Sequence, residues 1–272
     1  MLHTNVKVAL TNLLLCLLVQ GQTSGPGSTM SDPQAISMSQ QATLALTNST
    51  AISDVTLIGT ATQTAGTWSS TGPATFKALG FAESRVDFAA SGQSEIHGLD
   101  ASGHPAGVWI GSPASSDSTR HAMALHNTFT DAAWFFPALT SLGTASQAGV
   151  VAKYVGAETH NGIAVQHVRL WHTANSYSSL AAIATVIPRL STVDIYLDAT
   201  SSLPVALDFN VHTDNDMNAN VAIEVRYSDY RMVSGVTVPF HVQKYLSNGL
   251  VMDFVASTVA INSGLSDTAF SM

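Results

Sequence analysis

Cysteine is almost missing: Cys16 is the only one in 272 residues. A chain with one thiol forms no internal disulfide, and if a signal is cut after Cys16 the mature chain has no thiol for catalysis or for a metal. Charge is scarce as well. Asp, Glu, Lys and Arg make up 10% of the residues, against about 25% in ordinary soluble domains. Lys and Arg together number ten, form no cluster, and leave a net charge of −8. Nothing here neutralises a run of phosphates, which argues against a nucleic-acid partner. Aromatic residues are 7%. No apolar run reaches the roughly 18 residues of a membrane-spanning helix.

What is present is 46% hydrophobic, with Ala, Ser, Thr and Val filling the place of charge. That composition fits an exported β-rich protein, and the length suits one large β domain or two small ones. The N-terminus reads as a secretory signal over residues 1–21: Lys7, then the apolar stretch Val8–Val19, then a cut near Gly21. An uncleaved anchor is the alternative. Lipidation of Cys16 is disfavoured, because Leu15 precedes it where a small residue is needed. Residues 22–31 (QTSGPGSTMS) have linker composition, and residues 32–272 are expected to form one β domain.

Asp32-Pro33 opens a helix to about Thr47. From Asp54 the apolar period becomes two, with candidate strands Val55–Thr62, Ala74–Ala82, Arg85–Ser91, Ser94–Leu99 and Gly107–Ile110. Asp131–Leu142 reads as a short helix or aromatic loop broken near Pro137. Val150–Ala157 and Ile163–His172 form a hairpin tipped by Asn161-Gly162. Ser179–Leu190 is apolar without alternation, a short helix or flap. Val193–Asp198, Val205–His212 and Val221–Tyr227 alternate cleanly, and the phase breaks at Ser228-Asp229, which suggests a bulge or bend.

Asn248-Gly249 suits a two-residue turn with both central φ positive. Placed there, it pairs Leu246 with Val251, Lys244 with Asp253 and Val242 with Val255. Pro239 lacks a ladder donor, so an edge position or a bulge is expected. The sum is a mainly β (α+β) fold. It is a strongly curved antiparallel sheet, an incomplete barrel of about ten or more strands. An N-terminal helix and one or two short helices cover its concave side.

At Tyr227–Phe240 (YSDYRMVSGVTVPF) the chain resembles bacterial envelope proteins of the outer-membrane lipoprotein-sorting class, the LolA-like superfamily. Asp198–Pro204 (DATSSLP) is similar to the "D-x-x-T-x-L-P" hairpin of that class, with Ser201 in place of the threonine. Asn262–Phe270 (NSGLSDTAF) is similar to its terminal "N-x-x-L-x-x-x-x-F". The resemblance covers roughly the last third of the chain. It implies an open β-barrel lined with apolar side chains and lidded by helices, whose cavity in the carrier members receives lipoprotein acyl chains in the periplasm. These motifs are turns, so they carry fold and not activity, and none of the carriers' gating residues can be matched to this chain.

Reactive groups in a recognised arrangement are absent. Ten histidines stand against ten basic residues, but His121 and His126, like His167 and His172, are spaced for opposite faces of a strand. They read as surface or sheet-face histidines. Asp214–Asn218 imitates the start of a calcium loop, yet Ala219 and Val225 stand where Gly and Glu are needed, so a polar turn is expected. No G-x-S-x-G elbow occurs. The expectation is therefore a non-enzymatic exported protein without metal or cofactor, periplasmic or outer-membrane associated, with peripheral association with the envelope membrane. Its partner is expected to be a lipid, an acyl chain or a lipidated protein. A scaffold with a filled core is the alternative, and a secreted hydrolase the weaker one. The candidate cavity or lid residues are Trp134, Phe135 and Phe136 in the densest aromatic cluster, and Leu180, Ile183, Val186 and Ile187 in the apolar segment before and at Pro188.

Overall fold

A computed structural model describes residues 30–111, 119–130, 132–177, 180 and 183–272. The expected signal, Cys16 and most of the linker lie outside the described residues, as does part of the segment 179–190. Helix α1 (Pro33–Thr47) is followed by five strands in a meander: β1 (Asp54–Ala65), β2 (Trp68–Leu79), β3 (Glu83–Phe88), β4 (Gln93–Leu99) and β5 (Pro105–Ile110). Next come β6 (Arg120–Ala122), the short helix α2 (Ser141–Thr144), β7 (Val150–His160), β8 (Ile163–His172) and α3 (Ile187–Leu190). The remainder is β9 (Val193–Asp198), β10 (Pro204–Thr213), β11 (Asp216–Val233), β12 (Val236–Leu246) and β13 (Gly249–Ile261). The strands form one antiparallel 13-stranded sheet, in the order β6-β5-β4-β3-β2-β1-β13-β12-β11-β10-β9-β8-β7. It is strongly curved and does not close, so β6 and β7 are its two edges.

Opposed residues of an antiparallel ladder share a face, and the registers therefore trace the concave side. Leu57 faces Phe76, which faces Val86. In the other half Val168, Ile195, Leu207 and Val225 lie in one row. These residues belong to one core with Ala35, Ala42 and Leu46 of α1 and with Trp134, Phe135, Phe136 and Leu142 of the segment leading into α2. The convex side carries a small second core, where Phe270 of the C-terminal 3-10 turn covers Ile96 and Val108. Asp32 precedes α1 as expected but does not cap it. Its carboxylate instead takes Lys153 Nζ at 2.8 Å and the Tyr154 N–H at 3.3 Å, fastening the helix start to β7.

The β12–β13 hairpin departs from the expected register. Its turn residues are Ser247 and Asn248, with φ of 47° and 69°, and Gly249 opens β13 opposite Leu246. A register shift at Lys244/Tyr245 leaves Val251 as an extra residue. Beyond it Lys244 opposes Met252 and Val242 opposes Phe254. The pairing is one residue away from the expected one, and such a slip exchanges the faces. Burial decides between the two: Phe254 is 0% exposed and Val255 50%. The Asn161-Gly162 tip is as expected, with φ of 49° and 82°. β11 is longer than expected, because the Asp214–Asn220 turn shrinks to residues 214–215. At the phase break Asp229 has φ of 52°. Pro239 opposes Tyr230, in a stretch of β12 paired to β11 but beyond the β13 register, which ends at His241. It therefore sits at a local edge, where its missing donor costs nothing.

Candidate functional site

Residues 132–148 lie across the open side of the sheet and contribute apolar side chains to its main core. Its plug is aromatic. Trp134, Phe135 and Phe136 are 3%, 0% and 0% exposed. Phe135 and Trp134 pack on Phe76 with ring centres 5.3 and 5.6 Å apart. Phe76 in turn stacks on Phe254 at 4.1 Å. The Tyr227 hydroxyl donates to the Trp134 carbonyl at 2.5 Å, tying the plug to β11.

Beside the plug a cavity of about 390 Å³ remains, between the two ends of the sheet. Phe81, His97 and Leu99 form the β2–β5 wall. Leu170, Trp171, His172 and Val193 form the β8–β9 wall. Thr140 and Ser141 come from the crossing segment, and Phe129 from just before it. Such a volume lies within the usual range of small-ligand sites, about 300–1,000 Å³. The lining mixes apolar side chains with polar ones, and some of the polar groups are buried. The Thr140 hydroxyl, the Ser141 hydroxyl and His97 Nδ1 are all buried without a hydrogen-bond partner on the protein. A buried polar group left unpaired costs about 1–3 kcal/mol. Burial holds the His172 imidazole below its ordinary pKa.

Behind the cavity runs a polar chain. His97 Nε2 and Glu95 Oε1 are 2.8 Å apart, Glu95 lies 3.9 Å from Lys244 Nζ, and that ammonium sits 4.4 Å from the Trp134 ring centre. Burial alone would raise the Glu95 pKa, but the Lys244 charge and the His97 contact outweigh it and hold it at about 2.

The seven residues expected at a cavity or lid fall into two groups. Trp134, Phe135 and Phe136 lie in the main core. Leu180, Ile183, Val186 and Ile187 pack with Phe129, Leu190 and Met217 in a separate cluster. Phe129 is the residue shared between that cluster and the cavity wall. The expected spacing of polar and apolar residues gave no hint of His97, Thr140 or Ser141, which are brought together by contacts between distant segments. The alternation around Glu95 and His97 is the one usable signal: two polar residues share the core phase of a strand.

The histidines expected to be sheet-face residues have partners or stacks. His121 stacks on Trp109 at 4.1 Å, and His167 Nε2 meets Asp194 Oδ1 at 2.6 Å. One serine, histidine and aspartate do align across β11–β13. Ser228 Oγ is 3.0 Å from His241 Nδ1, and His241 Nε2 is 2.6 Å from Asp253 Oδ1. They stand on the convex face, where the His241 and Asp253 side chains are 31% and 38% exposed.

No family model matches this chain, and no curated protein does. Solved structures do match. One is a domain named as outer membrane lipoprotein-sorting, from Vibrio parahaemolyticus, with 13% identity and a TM-score of 0.55 over 88% of this chain and 96% of that one. Another is a DUF1329 family protein from Desulfovibrio piger, with 11% identity and a TM-score of 0.55 over 89% of this chain and 98% of that one. The chain shares the fold of these two structures.

Proposed function

We propose that this chain is an exported, non-enzymatic protein of the bacterial envelope that binds an amphiphile in the cavity between the sheet ends. The amphiphile is a lipid, an acyl chain or a lipidated protein. The observation that carries the reading is the cavity itself, about 390 Å³, with Phe81, Leu99, Phe129 and Trp171 around buried polar points. Apolar walls take the chain, and the polar points take an ester, amide or hydroxyl at its end. The fold shared with a structure named as lipoprotein-sorting supports the same reading. In this proposal the cluster of Ile183, Val186 and Ile187 backs Phe129 as one flank of the site. The aromatic plug sets its floor.

Native mass spectrometry after gentle purification tests this, together with displacement of a fluorescent fatty-acid probe. Ala148 is an exposed rim residue. Ala148→Trp should weaken probe binding at least tenfold while leaving the melting temperature unchanged. No co-purifying lipid and no saturable probe binding would overturn the reading.

The buried aromatic plug favours a second reading, an envelope scaffold without ligand, which that negative outcome would select. The hydrolase reading now rests on Ser228, His241 and Asp253. A fluorophosphonate that labels the wild type but not Ser228→Ala would revive it.

A further inference from the structure

The convex face carries a row of like charges. Asp194 of β9 opposes Asp208 of β10, and Asp208 opposes Glu224 of β11. Directly opposed like charges destabilise a sheet, so each carboxylate needs compensation. The two outer ones have it. Asp194 receives Arg169 Nε at 2.7 Å and His167. Glu224 receives Arg226 through Nε at 2.9 Å and Nη2 at 2.7 Å. The middle one does not. Asp208 accepts only the Tyr196 hydroxyl, on Oδ2 at 3.2 Å. Its Oδ1 is buried and has no partner, the only such carboxylate oxygen found among the described residues.

The neighbour that completes the picture comes from another part of the sheet. The tip of the β7–β8 hairpin curls over the convex face. There the His160 ring stacks on Tyr196 at 3.7 Å, and Asn161 Nδ2 donates to Glu224 Oε1 at 2.5 Å. Ligand atoms of His160, Asp208 and Glu224 all lie within 4.8 Å of one another. This is the only three-residue group of that kind among the described residues. A groove of about 420 Å³ opens beside it.

We propose that His160, Asp208 and Glu224 bind a divalent transition-metal ion of the zinc or manganese type, which clamps the β7–β8 hairpin tip to the convex face. One imidazole and two carboxylates are a donor set such ions accept, with further positions left to water. The spacing of two of the ligands already suits it. Ligand atoms each about 2.1 Å from an ion and about 90° apart are separated by about 3 Å, and His160 Nε2 lies 3.0 Å from Glu224 Oε1. The ion would replace that contact and supply the missing partner of Asp208 Oδ1. Outer-shell groups are present: the Tyr196 hydroxyl orients Asp208, while Arg226 and Asn161 orient Glu224. The charge compensation by Arg226 sets an expectation of moderate affinity.

The purified full chain, stripped with EDTA, is titrated calorimetrically with Zn2+ and with Mn2+. Ca2+ and Mg2+ serve as oxygen-preferring controls. One equivalent of zinc or manganese should bind, raise the melting temperature, and slow amide exchange across residues 158–164. His160→Ala and Asp208→Asn should each weaken binding at least tenfold. His241→Gln, a histidine paired to a carboxylate elsewhere, should leave binding unchanged. Asp208→Asn removes the uncompensated charge, so without metal it should melt no lower than the wild type; this keeps lost binding distinct from lost folding. Absence of stoichiometric binding, or binding undiminished in Asp208→Asn, would overturn the proposal.

Discussion

The Tyr230 hydroxyl donates to the Pro204 carbonyl oxygen at 2.6 Å. That bond joins two of the turn motifs through which the chain resembles lipoprotein-sorting proteins, the Asp229-Tyr230-Arg231 segment and the Asp198–Pro204 hairpin. Each motif is also closed locally. Asp198 Oδ1 accepts the N–H groups of Thr200 and Ser201 and the Ser201 hydroxyl. Asp229 pairs with Arg231, whose guanidinium lies 4.4 Å from the Phe240 ring centre. Tyr230→Phe keeps the ring and removes the bond. It should lower unfolding stability by about 1–2 kcal/mol, read as a lower urea midpoint with an unchanged slope.

The plug is a costly place to cut. Phe135 is fully buried between Phe76 and Trp134, so Phe135→Ala removes a large apolar surface and leaves a hole. The expected loss is about 3–5 kcal/mol. If residues 132–148 were only a loosely held lid, denaturant melts would show much less.

Glu95 predicts a specific acid response. Its folded pKa is about 2, below the ordinary value of 4.5. A carboxylate lowered in this way contributes stability that is present above pH 4.5 and is lost as pH falls toward 2. Urea midpoints taken from pH 7 to pH 3 should therefore fall less steeply in Glu95→Gln than in the wild type. Parallel slopes would show that the Lys244–Glu95–His97 chain is not maintained in solution.

Much of the sheet could be read from period-two alternation, and β8 and β9 match their expected ends residue for residue. The hairpin register could not. Asn-Gly is the stronger turn signal, yet Ser247-Asn248 makes the turn, because burying Met252, Phe254 and Ala256 outweighs the local preference. Spacing along the chain also hid the cavity and the His160–Asp208–Glu224 group. His97 and Thr140 line one cavity through the crossing segment, and His160 reaches Glu224 over three intervening strands. Only a full register table exposes the opposed Asp208 and Glu224.

Asp54 holds the C-terminal segment. It is 1% exposed, and burial alone would raise its pKa. Bonds from the Ser263 hydroxyl, the Ser263 and Gly264 N–H groups and Ser53 outweigh burial and keep the carboxyl below its ordinary range. Next to it Asn262 accepts from the Ser53 N–H at 2.7 Å and donates to the Ala51 carbonyl at 2.8 Å. Together they direct residues 263–270 across the convex face, where Phe270 covers Ile96 and Val108. Asp54→Ala removes a charged acceptor and leaves its donors unpaired, at about 1.5–3 kcal/mol. The loss should be local before it is global. Limited proteolysis should cut near residues 263–266 in Asp54→Ala well before the sheet is attacked, and an apolar dye should bind the uncovered Ile96–Val108 patch. Equal cleavage in the wild type would mean that the Phe270 contact alone, without the Asp54 and Asn262 bonds, positions the tail.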